Sequence, residues 1–240
     1  MARLAEQSER YDDMVEFMRR VATLKSDLTL EERNLFSIAY KNSLGTRRAA
    51  WRVLWAMDAR EPQRTGPYMD CINLYRAKVI KEMKTICSEM LKIIEEDLLP
   101  LASTTESRVF YWKLKGDYLR YTAEFHQADA HTAAAESAHD AYKTASEIAL
   151  NHLTATHPVR LGLALNFSVF YYETINAPDK ACQLAKAAFD EAIGQLETLG
   201  EEQYKDSAMI LQLLRDNLTL WTQGVQGAAV GEESKAADAR

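Results

Sequence analysis

Proline and glycine are scarce in this chain and fall at its joints. Only 5 Pro and 9 Gly occur in 240 residues. That is too few turn-formers for a many-stranded all-β fold. Pro62, Pro67, Pro100, Pro158 and Pro178 each separate two apolar-periodic segments. A proline cannot continue a helix from within, so each marks an end or a first turn. The pattern predicts an all-α fold with nine helices, at roughly 2–8, 11–23, 30–59, 68–98, 105–127, 130–152, 158–175, 178–197 and 203–221. Segments this long, joined briefly, predict antiparallel helical layers in one domain over residues 1–221.

Helix-start chemistry agrees with these joints. Thr29 with Glu32, and Ser103 with Glu106, have capping-box spacing. Thr156 before His157-Pro158, and Asn176 before Pro178, are further expected starts, and Gly200 is an expected stop after Leu199. Residues 222–240 are rich in Ala, Gly, Glu and Ser with little to bury, and are expected to be disordered.

Composition excludes several functions. The net charge of −6 disfavours non-specific nucleic-acid binding. Cys71, Cys87 and Cys182 are odd in number and lack CxxC spacing, as in a reduced protein without a disulfide framework. The five His form no HExxH pattern, so no metal or cofactor is expected. No leader-type apolar run opens the chain and no stretch approaches a membrane span. A cytoplasmic protein is expected, compatible with nuclear exchange, without a membrane partner.

Four segments carry the chemistry. Lys41 and Arg48 are seven residues apart and share a helical face, with Gly45 between them either clearing that face or admitting a neighbour. Alone, this spacing also describes a solvated basic face. Lys113, Asp117, Arg120 and Tyr121 interleave at three- and four-residue spacing. Here a carboxylate can orient a guanidinium fork and a phenol, both suited to phosphate oxygens, or an ordinary intrahelical ion-pair cluster forms. In a helix apolar nearly all round, Asn166, Val169 and Glu173 share a face beside Leu165. Burying an amide without a partner costs roughly 1–3 kcal/mol, so Asn166 needs either a ligand backbone or a neighbouring helix. Finally, Ile210, Leu213, Asn217 and Trp221 form an apolar stripe with an amide set in it, consistent with core packing as well as with a groove wall. Together the four describe a basic wall and an apolar wall, a receptor for an extended peptide carrying one phosphate.

These segments resemble the 14-3-3 protein family. The resemblance is carried by RNLFSIAYKNSLGTRRAAWR (Arg33 to Arg52), VFYWKLKGDYLRYTAE (Val109 to Glu124), THPVRLGLALNFSVFYYE (Thr156 to Glu173) and YKDSAMILQLLRDNLTLW (Tyr204 to Trp221), in order and register from Leu4 to Trp221. It implies a nine-helix, antiparallel, cup-shaped protomer with an amphipathic groove, dimeric through its N-terminal helices in residues 1–80. It implies a phosphate pocket of Lys41, Arg48, Arg120 and Tyr121. Asn166 and Asn217 would hold the ligand main chain, Lys113, Asp117, Glu173 and Trp221 would line the groove, and Leu165, Val169, Ile210 and Leu213 would form its apolar wall. The implied partners are phosphorylated client proteins with Arg-x-x-pSer-x-Pro-like segments, and a second copy of this chain or of a relative.

The sequence departs from the family in places. The first helix is short, Ala50 stands where many members carry a phosphorylatable serine, Trp55 and Trp112 replace smaller residues, and Leu119 replaces a common Tyr. Expected dimer contacts are Leu4, Ser8, Leu54, Tyr75 and Val79, with Arg10–Glu82 and Asp13–Lys78 as intersubunit ion pairs. Surface pairs contribute little, so association must rest mainly on apolar burial. Two other readings are open on residues alone. One is an enzyme using the Lys113–Asp117–Tyr121 cluster. The other is a phosphate-independent helical-repeat scaffold, suggested by the tetratricopeptide-like hairpin Leu161 to Ile193.

Overall fold

The computed structural model describes the backbone of residues 1–24, 26–60, 66–196 and 200–237, with side chains omitted at 58–60, 201–203 and 224–237. Among these residues the fold is all-α, with nine α-helices and no strand. They are α1 (Ala2–Gln7), α2 (Tyr11–Ala22), α3 (Leu30–Arg60), α4 (Pro67–Ile93), α5 (Thr105–Glu124), α6 (Ala128–His152), α7 (Pro158–Val169), α8 (Pro178–Ile193) and α9 (Glu201–Ala237). Pro62 and Leu199, expected to flank helix ends, lie outside the described residues, as do residues 238–240. No helix among the described residues is long and apolar enough to cross a membrane.

The chain forms two compact units: residues 1–103 with 124–131, and residues 104–123 with 132–240. In the first, α1 packs on α2, α2 on α3 and α3 on α4. Helical spacing supplies the buried faces: Met14, Met18 and Ala22 on α2, Phe36, Tyr40 and Leu44 on α3, and Met69, Ile72, Val79, Met83, Cys87 and Met90 on α4. In the second unit, α7 packs on α8 and α9. One of its cores joins Val109, Tyr142, Phe167 and Phe170 to the α6 alanines Ala135, Ala138, Ala145 and Ala149. A second joins Leu161 to Ala181, Ala185, Leu211, Leu214 and Trp221. The alanines give large rings room to stack. Phe167 lies 5.2 Å from Tyr142 and 4.7 Å from Tyr171, with both rings within 24° of parallel.

The caps refine the expected boundaries. At α3 the Thr29–Glu32 box is present: the Thr29 N–H donates to Glu32 Oε2 at 2.9 Å and the Glu32 N–H to Thr29 Oγ1 at 3.3 Å. At α5 the cap is Thr104, not Ser103. Its Oγ1 accepts from the Ser107 N–H at 3.0 Å, while Ser103 donates through its N–H and hydroxyl to Asp27. At α7 the cap is His157, not Thr156, its Nδ1 accepting from the Val159 N–H at 3.2 Å. At α8 Ala177 takes the cap position, and Asn176 sits just before it with φ +55°. Asparagine tolerates that left-handed conformation better than most residues.

Two helices change winding near their ends. The backbone is π-helical at Ile94–Leu98, then 3₁₀ at Leu99–Leu101, and π-helical again at Phe170–Thr174. After the second segment the Ile175 N–H reaches the Phe170 carbonyl at 3.2 Å and the Ala177 N–H reaches that of Tyr171 at 2.8 Å. The backbone of α9 is helical through Ala237. Alanines at 228, 229, 236 and 237 are strong helix formers, and no proline interrupts them.

Candidate functional site

Asp117 organises the second unit. The i, i+4 spacing on α5 brings the Lys113 ammonium to Asp117 Oδ2 at 2.9 Å. Asp117 Oδ1 accepts from the Tyr142 hydroxyl at 2.6 Å and from Asn166 Nδ2 at 2.8 Å. One carboxylate thus ties α5, α6 and α7 together while 4% exposed. Burial pushes its carboxyl up, but Lys113, Arg120 and the Tyr142 hydroxyl outweigh burial and hold it below the ordinary carboxylate value. It is therefore an anion at neutral pH, and the cluster is a buried interhelical network rather than an ion pair along one helix.

Arg120 is the second buried charge, 6% exposed. Its Nε donates to the Tyr142 hydroxyl at 3.4 Å, its Nη1 lies 3.8 Å from Glu173 Oε2, and its guanidinium sits 4.6 Å from the Tyr121 ring centroid. Burial works against the cation, but Tyr142, Tyr121 and Asp117 outweigh it and hold Arg120 charged. Burial first, and Asp117 next, keep Tyr142 a phenol far above its ordinary value, so it can donate to Asp117. The Tyr121 ring is fixed in turn by an edge contact with Tyr118 at 5.5 Å.

Asn166 therefore finds one partner in a neighbouring helix, which leaves its amide carbonyl and second N–H. Asn217 is half-buried on α9, and its side chain makes no hydrogen bond among the described residues. Trp221 is buried and stacks on Tyr172 at 4.8 Å and 13°. Leu165, Val169 and Ile210 pack against the core containing Trp221, whereas Leu213 is 48% exposed. Glu173 lies within the π-helical segment, a winding often found at functional positions. Gly162 leaves room for the Lys113 stem, whose Cε would lie 3.7 Å from an added Cβ.

In the first unit Lys41 and Arg48 lie on one face of α3. Lys41 is exposed. Arg48 forks onto Glu124, Nε at 2.9 Å and Nη2 at 2.5 Å, with Arg52 at 3.9 Å from the same carboxylate. Nothing comes within 4 Å of a Cβ added at Gly45, so this glycine clears the face. Trp112 points away from Lys113, joining Leu119 against the α5–α6–α7 core with Lys115 over its ring at 4.9 Å.

The residues expected at a dimer contact divide. Leu4, Ser8 and Tyr75 are exposed, while Leu54 and Val79 are already buried in the single chain. Within the chain Arg10 pairs with Asp13 at 2.5 Å, and Glu82 pairs with Arg47 at 3.2 Å. Lys78 lies 6.0 Å from the Tyr75 ring centroid.

Sequence reasoning missed Tyr142, Glu124 and Tyr172. The signal for Tyr142 was its position as a lone aromatic among the α6 alanines. Nothing on α5 announces it, because its bond to Asp117 spans 25 residues.

The protein-family model described as 14-3-3 protein matches residues 1–222. The chain is 56% identical over 230 residues to 14-3-3 protein epsilon of Drosophila melanogaster, covering 95% of this chain and 88% of that protein. It is 55% identical over 235 residues to 14-3-3 protein 2 of Solanum lycopersicum, covering 97% and 92% respectively. Against a 14-3-3-like protein of Chlamydomonas reinhardtii it is 54% identical over 241 residues, covering 99% and 93%.

Proposed function

This chain belongs to the 14-3-3 protein family, and from that premise we propose that it binds phosphoserine and phosphothreonine segments of client proteins in a groove with one basic and one apolar wall. Family membership supports a phosphoprotein-binding adaptor and not an enzyme.

The observation that carries the finer reading is Arg120. A guanidinium kept charged while buried, and oriented by Tyr142, Tyr121 and the Asp117 carboxylate, has the preorganised planar fork that phosphate oxygens favour. The proposed phosphate ligands are Lys41, Arg48, Arg120 and Tyr121. The proposed main-chain ligands are the remaining polar atoms of Asn166 and the Asn217 amide. Leu165, Val169, Ile210, Leu213 and Trp221 would receive flanking side chains, with Lys113, Asp117 and Glu173 at the groove's polar side. Carboxylates such as Glu173 favour clients with a basic residue near the phosphate, in keeping with Arg-x-x-pSer-x-Pro-like segments. Binding of unphosphorylated protein surfaces, nucleic acid or membranes is not part of the proposal.

Fluorescence anisotropy with an Arg-Ser-x-pSer-x-Pro peptide and its unphosphorylated twin tests it. Binding should require the phosphate. Losing one charge-assisted contact costs roughly 1.5–3 kcal/mol, and Lys41→Glu, which reverses the charge, should cost more. Equal affinity for the two peptides would overturn the proposal.

A further inference from the structure

The second unit holds another cavity that the peptide-binding proposal does not use. Side chains from α6, α7 and α8 enclose a cleft of about 470 Å³. It exists because alanines from three elements face one another, with Ala149, Ala164 and Ala187 leaving space that larger side chains would fill. Neither Asn166, Asn217, Glu173 nor Trp221 lines it. α7 is thus two-faced: Leu161 and Ala164 line this cleft, while Asn166 reaches Asp117.

The cleft is elongated and its ends differ. Lys180, Gln183, Ala187 and Glu191 all line it and recur at three- and four-residue spacing, forming one stripe down α8. Eleven residues at the helical rise make that stripe about 16 Å long. At one end Glu191 is neutralised by Arg160, whose Nη2 lies 2.5 Å from Glu191 Oε2 and whose Nη1 donates to the Leu153 carbonyl at 3.0 Å. At the other end the Lys180 ammonium lies 5.9 Å from the Tyr171 ring centroid and makes no ion pair among the described residues. Lys180 stands in the first turn of α8, where the helix end adds positive potential. Asp179 shares that turn but does not line the cleft. Between the ends the walls are mostly apolar, with Leu150 and Leu184 beside Ser146.

We propose that this cleft binds a linear medium-chain carboxylate. Its chain lies along Leu150, Leu184 and the alanines, and its carboxylate meets the Lys180 ammonium and the Gln183 amide. The dimensions suit a single acyl chain, and the Lys180 charge, which has no ion-pair partner among the described residues, selects an anionic head.

Calorimetric titration of the full chain with decanoate, and with uncharged decanamide, tests this. Decanoate should show one saturable site whose affinity is unchanged by saturating phosphopeptide. Ala187→Phe fills the cleft from an exposed position. It should weaken decanoate by roughly tenfold or more while leaving the melting temperature and phosphopeptide affinity unchanged. Lys180→Glu should weaken decanoate about tenfold and spare decanamide. Any of three results would overturn the proposal: no saturable binding, displacement by phosphopeptide, or wild-type decanoate affinity in both variants.

Discussion

Tyr142 does at α6 what no residue of α5 can do for itself: it presents one hydroxyl to both an anion and a cation. Its O–H donates to Asp117 and its oxygen accepts from Arg120, so the phenol separates two buried charges while linking them. Tyr142→Phe keeps the ring stack on Phe167 but removes both bonds. Stability should fall by about 1–3 kcal/mol in urea unfolding, with weaker phosphopeptide binding as Arg120 loses its orientation. Gly116 supports the same ring from below. A Cβ there would meet Tyr142 ring carbons at 2.8 Å, so Gly116→Ala must displace the ring and should cost about 1–3 kcal/mol. Asp117 gives the network a pH dependence of definite sign. Its folded value lies below the ordinary 3.8, so its contribution to stability is fully present above 3.8 and is lost as pH falls through the lower folded value. The stability gap between the protein and Asp117→Asn should therefore be constant from neutral pH down to about 3.8, then shrink until it is gone below the folded value. A gap that closes well above it would contradict the assignment. The ingredients Lys113, Asp117, Arg120 and Asn166 were all visible as spacing within their own helices. Their convergence with Tyr142 around Asp117 was not, because periodicity describes one helix at a time and these bonds join three.

Helix boundaries show the same division between local and distant chemistry. The Thr29–Glu32 box is local: both partners lie within one turn, and the structure has both bonds. Thr29→Ala should lower stability by about 0.5–2 kcal/mol in thermal or urea unfolding. Ser103 has capping-box spacing to Glu106, but Thr104 beside it is as good a cap by residue type. The choice between them is made by Asp27, 76 residues away, which takes the Ser103 N–H and hydroxyl and leaves Thr104 to begin α5. Thr104→Ala should accordingly cost about as much as Thr29→Ala. The π-helical turn at Phe170–Thr174 was not legible at all. Leu161 to Tyr172 is apolar nearly all round, so one extra residue in a turn leaves no break in the hydrophobic pattern to read. Prolines, by contrast, marked starts well because their missing N–H acts wherever they stand: Pro67, Pro158 and Pro178 each occupy the first turn of α4, α7 and α8.

At the scale of the whole molecule, the surface of the first unit bears on self-association. We predict that the protein is a dimer held through the first unit, by apolar contact more than by charge. Three of the four charges expected to cross between subunits already have ion-pair partners inside the chain, and the fourth, Lys78, lies near the Tyr75 ring. Arg10 holds Asp13, and Arg47 bridges Asp12 at 2.7 Å and Glu82 at 3.2 Å. Hydrogen bonding to Arg47 holds the Asp12 carboxyl below its ordinary value, and Asp12 in turn raises Arg47, so this bridge is not idle. An intersubunit Arg10–Glu82 bond would have to break two of these pairs to form one, with no net gain of ion pairs. What the first unit leaves unsatisfied is apolar: Leu4, Leu74 and Tyr75 are each more than half exposed. Sedimentation at micromolar concentration should therefore show a dimer whose affinity changes little when salt is raised severalfold, since screening acts on exposed charge and not on apolar burial. Tyr75→Glu should dissociate it. Arg47→Ala frees Glu82 for the partner's Arg10, and should make the dimer more salt-sensitive than the parent. A single-chain mass at micromolar concentration would refute dimerisation, and a parent dimer that dissociates steeply with salt would refute the apolar account of it.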